Sequence, residues 1–217
     1  MALGAGNVTP LQMVVAYSIF ANGGYRITPY FIERIVDGRG NVVTEALPQR
    51  AGEGANRVID ARNAFIMTSI MRDVVRMGTA ARAMKLGRND LAGKTGTTND
   101  FIDAWFCGFN TGLVAVAWIG FDTPQTLGRN ETGGRVALPI WMDYMGVVLK
   151  GVPEQPFAPP DGVVSVRVNP ETGLRVADGQ PGNADFFYHE FLPPEDGFGS
   201  GALGGGAPAE EVRNQLF

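Results

Sequence analysis

Histidine and cysteine are almost absent from this sequence, and their scarcity excludes several kinds of site. The 217 residues include one histidine, His189, and one cysteine, Cys107. A Ser-His-Asp triad would have to use His189, and an internal disulfide cannot form. Cysteine, histidine and carboxylate residues nowhere cluster with the spacing of metal ligands. We therefore predict no metal and no other cofactor, and we expect Cys107 to be a small buried residue in a strand.

Long apolar runs and an excess of basic residues are also lacking. No run of about 18 or more residues is apolar throughout, so we predict no membrane span in this chain. The first residues lack the basic start and the apolar stretch of a signal peptide. The formal net charge of -4 gives no reason to expect a nucleic acid or an anionic lipid surface as a partner. Hydrophobic residues make up 45% of the chain, which is enough to form a core.

The most informative stretch is residues 91–98, with the sequence LAGKTGTT. A lysine, several hydroxyls and two glycines within so short a segment favour binding of an anion. In a strand, alternation places Thr95 and Thr97 on one face and Lys94 and Gly96 on the other. Both hydroxyls can then serve a single carboxylate, and the glycines leave room for a peptide to lie against the backbone as an added strand.

Gly-Lys-Thr also occurs in phosphate-binding P-loops, but the surrounding sequence argues against one here. The P-loop pattern places a glycine five positions before the glycine of Gly-Lys-Thr, and that position is Arg88. A P-loop also continues directly into a helix, whereas residues 98–109 predict a loop followed by an aromatic-rich strand. We therefore do not predict a nucleotide site.

Several neighbouring segments strengthen a different interpretation of Lys94-Thr95-Gly96. With residues 93–100, 103–109 and 116–122, this motif closely resembles the transpeptidase domain of class A penicillin-binding proteins, in which K-T-G is an active-site element. The resemblance covers roughly the first three quarters of the chain. Further matching segments are residues 3–5, 8–13, 20–24, 133–134 and 137–141.

The resemblance implies a fold and a role for each matching residue. The fold would be α+β, an antiparallel sheet with packed helices, as part of a serine β-lactamase-like transpeptidase domain. Lys94 would act on the substrate carboxylate and in the proton network, and Thr95 and Thr97 would bind that carboxylate. The backbone N–H of Thr97 would be one oxyanion-hole donor, and Gly96 would keep the strand open. Without the resemblance, Lys94 would be interpreted as a solvated lysine at a strand edge.

Two further active-site elements of this family are missing from the sequence. The family uses a serine nucleophile in S-x-x-K and a second element, S-x-N. Neither pattern occurs at the chain's serines, which are Ser18, Ser69, Ser165 and Ser200. We therefore expect the chain to begin partway through the transpeptidase domain, to be inactive alone, and to need the upstream half of that domain as a partner.

The resemblance also implies a function and a location for the longer protein. It would be a peptidoglycan D,D-transpeptidase that cross-links stem peptides through an acyl-serine intermediate, and β-lactam antibiotics would inhibit it. It would be anchored upstream of this chain and act on the periplasmic face of the bacterial inner membrane. Two alternatives stay open for the isolated chain: a module that binds a peptide carboxylate without turnover, and a structural remnant with no ligand.

Local patterns predict three helices. Thr9 and Gln12 form a capping box, with Pro10 at the first helical position, and the helix they begin is apolar almost all round and therefore predicted to be buried. Asp60 is predicted to cap a second helix that ends near Met77. A third helix is predicted to open near Pro139 and to pack on the sheet. The predicted core stripe of the second helix consists of Ile66, Ile70, Val74 and Met77, with Met67, Met71 and Val75 beside it, and the methionines are predicted to fill gaps in the core.

The strand predictions centre on one antiparallel sheet. The Lys94 strand, residues 103–109 and residues 113–121 are predicted to pair in sequence order, with a tight turn at residues 110–112. The last of these strands is apolar on both faces and therefore predicted to be central. Residues 30–43 are predicted to form an edge hairpin whose aromatic residues contribute to packing. Arg129 and Arg135, which flank a Gly-rich loop, are predicted to be solvated.

Composition divides the chain into three predicted parts. Residues 1–150 would be the C-terminal portion of the transpeptidase domain. Residues 151–196 would be a proline-rich linker followed by a small β-hairpin, in which residues 163–168 pair with residues 174–176. Residues 197–217 would be a glycine-rich disordered tail.

Overall fold

A computed structural model describes residues 6–177 and 179–196 of the chain. The chain divides between Asp161 and Gly162 into two compact units. The predicted boundaries at residues 150 and 196 stay predictions, and the predicted tail at residues 197–217 lies outside the described residues.

The helices are α1 (Pro10–Ala21), α2 (Ala61–Arg76) and α3 (Leu138–Val148), with 3-10 turns at Ala81–Leu86 and Asn99–Phe101 and a π-helical turn at Gly133–Ala137. The strands are β1 (Tyr25–Arg26), β2 (Arg34–Val36), β3 (Val42–Glu45), β4 (Asn56–Arg57), β5 (Ala92–Thr97), β6 (Ala104–Phe109), β7 (Val114–Ile119), β8 (Val163–Val168) and β9 (Asn183–Tyr188).

The first unit is built on a three-stranded antiparallel sheet in the order β5-β6-β7. Lys94 pairs with Cys107, and Cys107 pairs in turn with Val116. The predicted antiparallel order and the turn between β6 and β7 are confirmed, and Cys107 is buried as predicted. The prediction that the last strand is central was wrong, because β6 occupies the middle and β7 has only β6 as a described neighbour. Both faces of β7 are apolar because helices cover the strand on both sides, and this pattern does not indicate its place in the strand order.

Helices α1 and α2 begin where their capping residues predict. The Thr9 hydroxyl accepts a hydrogen bond from the Gln12 backbone N–H at 3.2 Å, and the Gln12 side chain accepts one from the Thr9 N–H at 2.8 Å. Asp60 caps α2 through the Arg62 N–H at 2.9 Å. The expectation that α1 is buried was wrong, since none of its residues is fully buried. An all-apolar helix carries no information about which of its sides finds a neighbour.

The buried side of α2 differs from the main predicted stripe, but it includes Met71 and Val75, which were predicted to lie beside that stripe. Ile70 is 53% exposed and Met77 is 74% exposed. The two stripes differ by less than one turn of helix, and the position of the sheet decides which of them is covered. The residues that α2 buries are Ala64, Phe65, Thr68, Met71 and Val75.

Helix α3 covers the sheet face opposite α1, as its apolar sequence predicts. The Trp141 ring meets the Phe106 ring edge-on with 4.9 Å between centroids. The Trp141 indole N–H donates to the carbonyl oxygens of Gly108 and Ala115 at 3.3 and 3.1 Å. Such partners allow a tryptophan to be fully buried. The cluster around it contains Val75, Ala80, Ala83, Leu91, Phe106, Ala117, Ala137, Leu138, Met145 and Leu149.

A buried ion pair fixes the chain just before β5. The Arg88 guanidinium binds both oxygens of Asp90, with Nε to Oδ1 at 2.9 Å and Nη2 to Oδ2 at 2.6 Å. Arg88 also donates to the carbonyl oxygen of Val152 at 2.7 Å, and Asp90 accepts from the Gln155 N–H at 3.2 Å. The segment after α3 is therefore held beside the beginning of β5.

The hairpin β2–β3 lies at the surface, as predicted, but its aromatic neighbours do not pack as predicted. All residues of both strands are exposed. Tyr30 is 48% exposed and Phe31 is 87% exposed, so the prediction that they contribute to a core was wrong. The strand begins at Arg34, after the aromatic pair, which leaves those side chains in an irregular segment.

The second unit contains one antiparallel pair, β8 with β9. The predicted pairing of residues 163–168 with residues 174–176 was wrong. Asn169 does begin a turn, because its backbone carbonyl accepts the Gly173 N–H at 2.8 Å. Among the described residues, the segment after it forms two isolated bridges and no strand, Val168 with Arg175 and Arg175 with Glu195. Across residues 6–177 and 179–196, no helix is long and apolar enough to cross a membrane.

Candidate active site

Among the residues that the structure describes, strand β5 lies at the edge of its sheet, with its first half buried and its second half open. Leu91 and Ala92 are 1% and 0% exposed, whereas Lys94 and Thr97 are exposed. At Gly93, a Cβ atom would lie 2.7 Å from the Phe106 ring, so no larger residue fits without displacing β6 or the ring. The strand thus enters from the core and presents its last four residues at the sheet edge.

The predicted alternation along β5 is confirmed by its register with β6. Thr95 pairs with Phe106, whose ring faces α3, whereas Lys94 pairs with Cys107 on the other side. The Thr95 and Thr97 hydroxyls consequently share the α3 side of the sheet. Thr95 Oγ1 lies 2.8 Å from Thr79 Oγ1, and Thr97 Oγ1 accepts the Gly133 N–H at 3.0 Å.

These threonines open into a cavity of about 530 Å³. Its walls come from three parts of the chain that are distant in sequence: the segment after α2, strand β5, and the glycine-rich π-helical turn before α3. No carboxylate is among the described residues that line it. The lining residues are Thr79, Arg82, Thr95, Thr97, Thr132, Gly134 and Arg135.

Gly133 allows the π-helical turn to close against β5. A Cβ atom at this position would overlap the carbonyl oxygens of Gly96 and Trp105. Its N–H is also the donor to Thr97 Oγ1. The turn can therefore position the Thr97 hydroxyl only because residue 133 has no side chain.

Lys94 lies on the opposite side of β5 from the two hydroxyls. Its Nζ donates to the Thr95 carbonyl oxygen at 2.8 Å. On the neighbouring strand, burial raises the pKa of the Cys107 thiol to about 12, although a hydrogen bond with Tyr17 partly opposes the shift. Burial and the neighbouring Cys107 likewise raise the pKa of Tyr17. These two groups therefore stay neutral at physiological pH.

The loop that follows β5 is held by local hydrogen bonds. Thr98 Oγ1 accepts the Asp103 N–H at 2.7 Å, and the Asp103 carboxylate accepts the Trp118 indole N–H at 2.8 Å. Asp103 is thereby engaged in the sheet and does not line the cavity. The chain passes from β5 through this short loop into β6 without an α-helix, which is inconsistent with a P-loop.

Sequence reasoning missed three of the side chains that line the cavity: Thr79, Arg82 and Thr132. It also predicted that Arg135 would be merely solvated, whereas this residue is exposed but contributes to the cavity wall. No sequence spacing relates residue 79 to residue 95. The paired glycines at 133 and 134 were the one available signal, because they indicate that a backbone approaches closely.

Comparison with known proteins identifies the family. The family model for the penicillin binding protein transpeptidase domain matches residues 1–146. The chain belongs to this family and covers a part of the transpeptidase domain. The α+β class predicted from the resemblance is confirmed.

Particular relatives are class A enzymes named penicillin-binding protein 1A. The chain is 44% identical to the protein from Pseudomonas aeruginosa, over 89% of this chain and 29% of that protein. It is 54% identical to the protein from Neisseria lactamica, over 76% of this chain and 21% of that protein. The crystal structure of penicillin-binding protein 1A from Haemophilus influenzae is 34% identical, with a TM-score of 0.83, over 89% of this chain and 34% of that one. The chain therefore spans less than a third of the curated relatives' length.

Proposed function

We propose that this chain is the K-T-G portion of a peptidoglycan D,D-transpeptidase that acts on the periplasmic face of the inner membrane. The observation that carries the proposal is the pair of threonine hydroxyls, Thr95 and Thr97, on one side of an open edge strand. Two hydroxyls at this spacing suit the terminal carboxylate of a stem peptide, and Arg82 and Arg135 of the same cavity supply positive charge. The shortness of the chain relative to its relatives is consistent with a contribution from another segment.

In the proposed reaction, a serine outside this sequence attacks the peptide carbonyl between the last two D-alanines. A tetrahedral oxyanion forms and is stabilised by backbone N–H groups, one of them from Thr97. The bond to the terminal D-alanine then breaks, its nitrogen receives the proton that the serine released, and an acyl-serine remains. The amine of a second stem peptide attacks this ester, forms the cross-link and regenerates the serine hydroxyl. β-Lactams would react with the serine by the same first steps, and the reaction would stop at the acyl-serine.

Strand β5 would bind the substrate before it provides any catalysis. The exposed edge from Lys94 to Thr97 offers main-chain groups to an extended peptide, in the manner of an added strand. The carboxylate on Thr95 and Thr97 would then set the register of the peptide along that edge. From the other side of β5, Lys94 would contribute charge to the proton network of the serine and, through the strand, to the carboxylate.

Acylation by a β-lactam tests this proposal. Intact-mass measurement should find no covalent adduct on the 217-residue chain alone, and an adduct on the longer protein that includes an S-x-x-K segment. Lys94→Ala in that longer protein should slow acylation by about 100-fold or more, the scale of losing one preorganised stabilising group. Lys85→Ala, at an exposed lysine on the 3-10 turn before β5, is the matched control and should have little effect. An adduct on the isolated chain, or equal acylation rates for both variants, would refute the proposal.

A non-catalytic role for the isolated chain is the second candidate. It is favoured by the presence of the threonine pair in a sequence that contains no S-x-x-K. Saturable, non-covalent binding of a D-Ala-D-Ala peptide to the chain, lost in Thr97→Val, would support this role. A structural remnant would show no such binding, so calorimetry on the chain separates the two.

A further inference from the structure

A second cavity in the first unit lies apart from the one beside β5. Its volume is about 210 Å³, and the two cavities share no lining residue. Parts of the chain that are distant in sequence enclose it: the end of α1, the start of α2, the turn between β6 and β7, and the irregular segment after α3. The proposed transpeptidase chemistry makes no use of this cavity.

The wall of the second cavity is mainly apolar and aromatic. Phe20 at the end of α1, Phe65 on α2 and Phe157 after α3 contribute rings, and Pro156 and Pro160 add apolar surface. None of the described lining residues is charged. Such a wall favours a neutral ligand with an aromatic ring, because rings pack well edge-on or offset against other rings.

The irregular segment after α3 is held in place as part of this wall. The Gln155 N–H donates to the buried Asp90 carboxylate at 3.2 Å, and the Thr111 hydroxyl, which also lines the cavity, donates to the Gln155 side chain at 3.0 Å. The Phe157 ring meets the Phe109 ring edge-on with 5.8 Å between centroids. These contacts form the wall in advance, so a ligand does not have to order it.

One hydroxyl in the wall is buried and only weakly bonded. Thr68 on α2 is 1% exposed and lines the cavity. Its hydroxyl donates to the Phe20 carbonyl oxygen at 3.4 Å. That distance is long for an O–H···O hydrogen bond, which usually measures about 2.5 to 3.0 Å. The Thr68 oxygen accepts no hydrogen bond from the described residues, so it can accept one from a ligand.

From these observations we propose that the second cavity binds a small neutral aromatic molecule that carries one hydroxyl group, as a phenol does. Its ring would lie against Phe65 and Phe157, and its hydroxyl would donate to the Thr68 oxygen. An apolar cavity of about 150 Å³ holds one benzene ring. A volume of about 210 Å³ therefore has room for a ring with short substituents. The inference is independent of the proposed function, because the two cavities share no residue.

NMR titration of the 217-residue chain tests the site with two probes that differ in one group. 4-Methylphenol carries the hydroxyl, and toluene lacks it and cannot bond to Thr68. The backbone amide signals of Phe65 and Thr68 should shift saturably with 4-methylphenol. The Kd should be on the order of 1 mM or lower, as ligands of this size reach.

Substitutions in the wall assign the binding to this cavity. Thr68→Val removes the hydroxyl and keeps the shape of the side chain. It should raise the Kd for 4-methylphenol by about 3- to 10-fold, the scale of one hydrogen bond, and leave the Kd for toluene nearly unchanged. Ala61→Leu fills the cavity and should abolish binding of both probes. Ala81→Leu, at an exposed alanine that does not line the cavity, is the control and should bind both probes as the unmodified chain does.

Three results would contradict this inference. Without saturable shifts for 4-methylphenol in the unmodified chain, the site does not exist. Binding that persists in a folded Ala61→Leu variant would place the ligand elsewhere. An equal loss of affinity for both probes in Thr68→Val would refute the role of the hydroxyl. Circular dichroism checks the fold of each variant, and Ala21→Leu fills the same cavity from the end of α1 if Ala61→Leu unfolds the chain.

Discussion

Arg82 and Arg88 lie near the two ends of the same 3-10 turn, and their surroundings are opposite. Arg88 is 9% exposed and binds both oxygens of Asp90 together with a carbonyl of the segment after α3. Arg82 is exposed at the cavity and has no partner among the described residues. The Arg88 guanidinium fixes the chain at the beginning of β5, whereas the Arg82 guanidinium lies in the cavity beside the exposed end of the strand.

This contrast distinguishes a structural charge from a charge available to a ligand. Burying Arg88 costs solvation, and its bonds to Asp90 and to main-chain carbonyls offset that cost. Asp90 is buried as well, which raises its pKa, but the bonds from Arg88 and from the Gln155 N–H outweigh burial and hold the pKa below its usual range. Arg82 stays hydrated, so it can exchange water for a ligand at little cost.

Replacing the structural arginine should have the largest effect on stability. Arg88→Gln leaves the Asp90 carboxylate buried without its cation, and we expect a loss of about 3 kcal/mol in the free energy of unfolding. Urea denaturation followed by circular dichroism measures the change. Arg82→Gln is the matched control and should stay within about 0.5 kcal/mol of the unmodified chain, as surface substitutions do. Equal losses in the two variants would abolish the distinction drawn above.

Displacing the π-helical turn from the open end of β5 should have the next largest effect on stability. Gly133→Ala places a methyl group against the carbonyl oxygens of Gly96 and Trp105, so the π-helical turn has to move away from the strand. We expect a destabilisation of about 2 kcal/mol and a weaker grip on the peptide carboxylate, because the Gly133 N–H no longer orients Thr97.

Denaturation and peptide titration of the same variant check both parts of this expectation. Gly112→Ala is a suitable control, since a Cβ atom there would meet only the Asn110 side chain, at 3.8 Å. If Gly133→Ala behaved like Gly112→Ala in both measurements, the close approach of the turn to β5 would be of no consequence for the site.

Acid should lower the free energy of unfolding by a smaller amount, through Asp90 at the buried beginning of β5. The pKa of Asp90 is lower in the folded chain than in the unfolded one, so its contribution is present above the unfolded value of about 3.9 and is lost as pH falls through the folded value. Unfolding free energies measured from pH 5 downward should therefore decline below about pH 4. In Arg88→Gln this decline should be shallower, because the bond that lowers the pKa is gone. Parallel curves for the two proteins would contradict this account.

Local signals in the sequence were sufficient for individual elements. The capping box at Thr9 and the cap at Asp60 place the starts of α1 and α2, because a cap acts on N–H groups only two or three residues away. Alternation along residues 94–97 correctly separates the lysine from the two hydroxyls, because the side-chain period of a strand is a backbone property. The buried position of Cys107 follows in the same way from its aromatic strand.

Predictions about which segments pack against each other were less successful, and the errors have a common physical cause. The strand that pairs with β8, the position of β7 at the edge of the described sheet and the burial of α1 all depend on which segments meet across the fold. Apolarity states that a surface requires cover but does not specify which segment covers it. The buried side of α2 was only partly predicted for the same reason, since Met71 and Val75 are buried but Ile70 and Met77 are exposed.

By itself, the sequence determined the family, the sheet strands, the alternation of Lys94 with its hydroxyl neighbours and the residues proposed to hold a carboxylate. Only the tertiary structure decided that Thr79 meets Thr95, that Gly133 meets Thr97, and that Arg82 and Arg135 line the same cavity. Those contacts join residues from three separate segments. They arise when α2 and the π-helical turn before α3 pack against β5, and no pattern of spacing along the chain encodes that packing.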